Sequence, residues 1–193
     1  MYNLIKTLLT NNTNPTLIIN ERKASKNNLG AYRWHEGEIG GEVWVNILNV
    51  EEVAMSNQLD PMEVALWTIH HECWHYIQHI RGKGTLEVSK EMEEAWVSWG
   101  SRGGLDTLGG ETPYALKSVY EFEAELCTQL SLGSESLLFT TIMWGKGTRR
   151  WTPMVIPEDW EEVSKLHEKL VEKFWPMVRS VLTERRLLKA AVS

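Results

Sequence analysis

His71, Glu72 and His75 stand in the spacing His-Glu-x-x-His. On a helix, positions four apart share a face, one turn above the other. Two imidazoles placed this way grip one Zn²⁺ at about 2.0–2.1 Å. Glu72, one residue past the first imidazole, projects beside the metal rather than onto it. It is then within reach of a metal-bound water, where a general base belongs. A carboxylate is costly to bury, and Glu72 lies between Ile69 and Trp74; a purely structural role for the helix does not account for it. His79 continues the series but lies about 12 Å along the helix axis from His71, so one ion cannot take all three. A His75/His79 pair lacks a Glu at position 76, and His70 points away from the 71/75 face. Both extra histidines are read as supporting or surface residues.

A hydrolytic zinc site uses three protein ligands and leaves one position for water. Three acids compete for the third place. Glu94 follows His75 after 18 intervening residues, in an acidic run that otherwise reads as a solvated face. Glu123 sits in the middle of an apolar helical stripe formed by Leu116, Val119, Leu126, Cys127 and Leu130. Glu121 lies in Tyr120-Glu121-Phe122-Glu123-Ala124-Glu125. The residues alone leave the three open.

The elements that must carry these groups are legible in outline. Asp60-Pro61-Met62-Glu63 is a helix start, with Asp60 as cap and Pro61 in the first turn. The helix is predicted over Pro61 to about Arg81, with Gly82 ending it. Further helices are predicted over 86–99, from Thr112-Pro113 to about Gly133, over 134–144, and from Pro157 onward, with a kink or break at Pro176. Residues 2–9 are predicted as a short helix. Strands are predicted over 16–20, 31–35 and 42–48, the last for its β-branched content. The fold class is therefore α+β: a small N-terminal antiparallel sheet packed on a predominantly helical body that carries the motif helix. We read residues 1–193 as a single domain, with its core at about 15–133 and a C-terminal helical extension over 134–193. The glycine-rich stretch 100–110 is a loop whose glycines suit a lid.

Hydrophobic residues make up 42% and charged residues 24% of the 193, values ordinary for a soluble globular protein. The net charge is −6, and no basic cluster appears before the short pairs Arg149–Arg150 and Arg185–Arg186. This argues against a nucleic-acid partner. No run approaches the roughly 18 apolar residues of a membrane span, and the N-terminus lacks a basic region before a signal-type apolar run; a cytoplasmic protein is expected. Cys73 and Cys127, the two cysteines, fall in predicted helices and read as buried free thiols. Most of the ten tryptophans are expected to fill the core.

Segments 41–48, 60–82 and 113–133 together resemble a minimal gluzincin metallopeptidase, of the kind called minigluzincins. The resemblance covers roughly residues 15–133 and rests on His71-Glu72-Cys73-Trp74-His75 and the later Tyr120–Glu125 run. The metzincin pattern is absent, since it needs Gly at 78 and His at 81 where the chain has Gln78 and Arg81. The resemblance implies one Zn²⁺ per chain held by His71, His75 and Glu121, with Glu125 supporting the ligand shell and Glu72 as general base. It implies hydrolysis of a peptide or protein substrate laid along an edge strand, here Gly41–Leu48. The family's oxyanion donor is a Tyr or His; Tyr114, Tyr120 and His167 are the candidates here. Two other readings compete. One is a structural zinc module, which would need four protein ligands. The other is a metal-free helical binding protein with a tryptophan-rich interface.

Overall fold

The computed structural model describes residues 14–25, 28–35, 38, 40–101, 117–132 and 156–192. Three short strands form one sheet: β1 (Thr16–Asn20), β2 (Gly30–Arg33) and β3 (Glu42–Asn46). Their order is β1-β3-β2, with β3 parallel to β1 and antiparallel to β2. The sheet is therefore mixed, where an antiparallel one was expected. Because β2 turns back and pairs on one side of β3, β1 is left to pair on the other side, running the same way. β3 is consequently the central strand. β3 is paired on both sides, so the expected free edge along Gly41–Leu48 does not exist; among the described residues, one open edge belongs to β2.

β3 also ends earlier than predicted. Ile47 begins a helix, α1 (Ile47–Asn57), where the sequence predicts none. Ile47, Val50 and Ala54 are its buried stripe, and helical spacing brings them to one face. Asn46 stands at the N-cap without capping. Its side chain instead donates to Asn28 and accepts from Asn20, tying the loop before β2 to the sheet.

Helix α2 (Pro61–Arg81) matches its predicted bounds. The Asp60 carboxylate accepts the Met62 N–H at 2.9 Å, Pro61 occupies the first turn, and Gly82 follows the last residue. Every residue from Val64 to Ile80 except Leu66 is buried. The sheet, α1 and the later helices surround it. A helix buried all round normally carries apolar residues. This one carries His70, His71, Glu72, His75, Gln78 and His79, all buried, so each polar head requires a partner.

Helix α3 (Lys90–Ser101) begins four residues later than predicted. Helix α4 (Val119–Leu132) begins after Lys117 and Ser118, which are not helical. Helix α5 (Trp160–Val192) runs through Pro176 without ending there. Phe174, Val178 and Leu182 hold it against the core on both sides of the proline. Proline removes one N–H from the ladder, and the carbonyl left over belongs to Glu172, which is exposed to solvent. Val163, Leu166, Leu170 and Phe174 of α5 share the hydrophobic core with α2. Cys73 and Cys127 are buried free thiols, as expected. Trp67 and Trp74 are in the core, and Trp96, Trp160 and Trp175 pack against it. No helix among the described residues is long and apolar enough to cross a membrane. The predicted helices at 2–9 and 134–144 and nearly all of the 100–110 loop lie outside the described residues.

Candidate metal centre

Helical spacing stacks His71 over His75, and their Nε2 atoms approach to 3.0 Å. Trp67, one turn earlier, lies against the His71 ring at 5.0 Å with the planes 23° apart, which limits ring rotation. The third group comes from the first turn of α4. Glu121 Oε2 lies 3.1 Å from His71 Nε2 and 3.6 Å from His75 Nε2. Ala124, Cys127 and Thr128 are small and fully buried on α4, which lets the two helices approach closely enough for these atoms to meet.

Tetrahedral ligands at about 2.0–2.1 Å from a zinc ion are about 3.3 Å from one another. The three donor–donor separations of 3.0, 3.1 and 3.6 Å bracket that value. Glu121 Oε2 is buried and meets no well-aligned donor among the described residues, as suits a carboxylate oxygen that serves a cation. His71, His75 and Glu121 are the one group of His, Cys, Asp or Glu among the described residues spaced to hold a metal ion.

Burial disfavours charge on Glu121, but His71 and His75 beside it hold its carboxyl well below the usual range. Burial likewise opposes a charge on His71, and the carboxylates of Glu121, Glu125 and Glu72 outweigh it and raise its pKa. Glu125, fully enclosed, lies 3.3 Å from His71 Nδ1 and is pushed up to about 7 chiefly by burial. Three carboxyl groups thus gather around two imidazoles, a set of oxygen and nitrogen donors of the kind a divalent cation takes.

Glu72 is buried at the edge of this cluster. Burial raises its pKa, while His71, His75 and a hydrogen bond from the Tyr32 backbone pull it down. Strand β2 presses directly on it. A Cβ on Gly30 would stand 2.9 Å from Glu72 Cγ, 2.6 Å from Thr68 Cγ2 and 2.7 Å from the Trp44 carbonyl. The Asn46 N–H donates to the Leu29 carbonyl. Antiparallel alternation then aims the peptide groups of Ala31 and Arg33 at β3 and those of Gly30 and Tyr32 at the open edge. That open edge lies beside Glu72.

The other candidates fall elsewhere. Glu123 is fully buried and turned to Arg81, Gln78 and the Ser89 N–H at 3.0–3.2 Å. Arg81 also forks onto Asp159, which precedes α5. Glu94 is on the solvated face of α3, 3.6 Å from Lys90. His70 packs against His167 and is depressed to about 3 by burial. His167 donates from Nε2 to the His70 carbonyl behind α2, so it is committed away from the metal cluster. His79 Nδ1 is 2.6 Å from the Tyr32 hydroxyl. Tyr120 meets the motif helix through its carbonyl, and Tyr114 lies outside the described residues. Sequence reasoning missed Gly30 and Tyr32, which no local signal ties to Glu72. It also missed Gln78, whose signal was its place one turn after His75.

Comparison with protein-family models found no matching family, and comparison with curated proteins and with solved structures found no match.

Proposed function

We propose that this protein is a zinc-dependent peptidase in which His71, His75 and Glu121 hold the metal and Glu72 is the general base. The observation that carries the reading is the convergence of two imidazole nitrogens and one carboxylate oxygen within 3.6 Å, with a buried carboxylate one residue after the first imidazole. Three ligands suit an open position for water better than a four-ligand structural site. When bound, zinc supplies a Lewis acid that polarises a carbonyl and lowers the pKa of coordinated water towards about 7. Glu72 takes a proton from the attacking water on its carboxylate and hands it to the departing amine nitrogen. Its burial, which raises its proton affinity, suits both halves of that transfer. Glu125 orients the His71 ring from Nδ1. An extended substrate adds to the open edge of β2, hydrogen-bonding the outward peptide groups of Gly30 and the Tyr32 carbonyl, while the Tyr32 N–H is held by Glu72.

The test is zinc analysis of the purified protein, with mass spectrometry of a diverse peptide mixture incubated with it. About one zinc per chain and discrete, chelator-sensitive cleavages are expected. Glu72→Gln should keep the zinc and lose roughly 10²- to 10⁴-fold in rate. A Glu72→Gln protein that cleaves as fast as the parent, or a parent that binds no zinc, refutes the proposal.

A further inference from the structure

Gln78 is fully buried one turn after His75 and takes part in three polar contacts. Its Oε1 lies 2.8 Å from His75 Nδ1. Its Nε2 donates to the Tyr120 carbonyl at 2.9 Å and to Glu123 Oε2 at 3.0 Å. The Tyr120 carbonyl has no hydrogen to give, so whatever faces it must be a donor. The end of the amide towards α4 is therefore the nitrogen, whatever the charge of Glu123, and the end towards His75 is the oxygen. An amide oxygen only accepts. The proton of this contact must then reside on His75 Nδ1, which in the neutral imidazole leaves Nε2 with a bare lone pair directed at His71 and Glu121.

We infer that Gln78 is the positioning residue of the metal centre: it sets His75 in the Nδ1–H tautomer and ties that ring to the helix turn that carries Glu121. Resting on the metal-site reading above, the inference adds the group that makes His75 a competent ligand. A neutral imidazole binds a metal through one nitrogen only when the other holds the proton, and the partner of that proton orients the ring. Glu125 Oε1 stands 3.3 Å from His71 Nδ1; among the described residues no carboxylate faces His75 Nδ1, and Gln78 fills the place. The same side chain grips Tyr120, the residue before Glu121, so His75 and Glu121 are brought into register through one amide. Its anchor is firm. Glu123 Oε1 receives the Ser89 N–H and Arg81 Nη1, and Arg81 is itself forked onto Asp159.

The experiment has two arms. Heteronuclear NMR of the imidazole nitrogens in the full-length wild-type protein, zinc-free and zinc-loaded, reads the tautomer of His75 directly. A proton on Nδ1 is expected in both states; a proton on Nε2 with Nδ1 bare overturns the inference. The second arm compares zinc affinity, by competition with a chromogenic chelator, between wild type and Gln78→Met, which keeps length and removes both amide functions. A loss of roughly 10- to 100-fold is expected; unchanged affinity overturns the inference. If wild type takes up no zinc, the peptidase reading falls, while the zinc-free NMR arm still decides the tautomer. If Gln78→Met does not fold, the wild-type spectra decide it alone.

Discussion

Replacing Glu121 and Glu123 one at a time separates the proposed metal ligand from a structural ion. The Glu123 carboxylate is fully buried and accepts from Arg81 Nη1 at 3.0 Å on both oxygens, from Gln78 Nε2 at 3.0 Å and from the Ser89 N–H at 3.2 Å. Glu123→Gln removes the charge and turns one acceptor into a donor facing Arg81. Breaking a buried ion pair costs about 3–5 kcal/mol. Arg81 keeps its two bonds to Asp159, at 3.0 and 2.9 Å, so the lower end applies, about 3 kcal/mol. For a chain of this size that lowers the melting temperature by about 6–12 °C. Zinc stoichiometry should not change, because Glu123 is turned away from the His71 and His75 nitrogens. Glu121→Gln should do the opposite. Its side chain is about a quarter exposed and its removal takes away a proposed ligand, so zinc should be lost, while the zinc-free fold should melt close to the zinc-free parent. Differential scanning calorimetry and metal analysis on the same samples read both quantities. A Glu123→Gln protein that loses its zinc at unchanged melting temperature, or a Glu121→Gln protein that keeps its zinc, would refute the assignment.

Gly30→Ala should destabilise the protein by about 1–3 kcal/mol, the usual effect of overpacking, because the new methyl would press on the Trp44 carbonyl, which cannot yield without moving the sheet. It should also slow turnover by displacing Glu72; denaturant titration and peptide cleavage measure the two effects, and an alanine variant equal to wild type in both would show that β2 does not set the position of the base. His167 is depressed to about 4, chiefly by burial, so below its unfolded pKa of about 6.5 the unfolded chain binds the additional proton. Stability should therefore fall as the pH drops from about 6.5 to 4, by up to roughly 3 kcal/mol from this group. His167→Gln should be less stable than wild type at neutral pH but lose less on acidification, and parallel pH profiles from urea denaturation would contradict the account.

The features legible in the sequence were those that local chemistry encodes. Asp60, Pro61 and Gly82 delimit α2 through capping and backbone preference, which act within a turn of the residue concerned. The pairing of His71 with His75, and the place of Glu72 beside them, follow from helical spacing alone. The α+β character and the burial of both cysteines belong to the same class. Errors arose where local preference was ambiguous or overruled. The run from Val43 to Val50 is rich in β-branched residues, so local preference predicts a strand to Leu48 where α1 in fact begins at Ile47. Its helical stripe of Ile47, Val50 and Ala54 has meaning only against a core. Pro176 breaks an isolated helix, but α5 is held on both sides of it by Phe174, Val178 and Leu182.

By itself, then, the chain specified a buried helix presenting two imidazoles and a carboxylate on adjoining faces, because i, i+4 geometry needs no partner. Only the tertiary structure decided which acid meets them. Glu121 and Glu123 are two residues apart on one helix and so face widely different directions; how α4 docks on α2 chooses between them, and Arg81, recruited from the end of α2, claims Glu123. The same holds for the sheet. No residue of β1 encodes whether its neighbour runs parallel or antiparallel, so the central position of β3, and the open edge that β2 sets beside Glu72, emerge from contacts between segments distant in sequence.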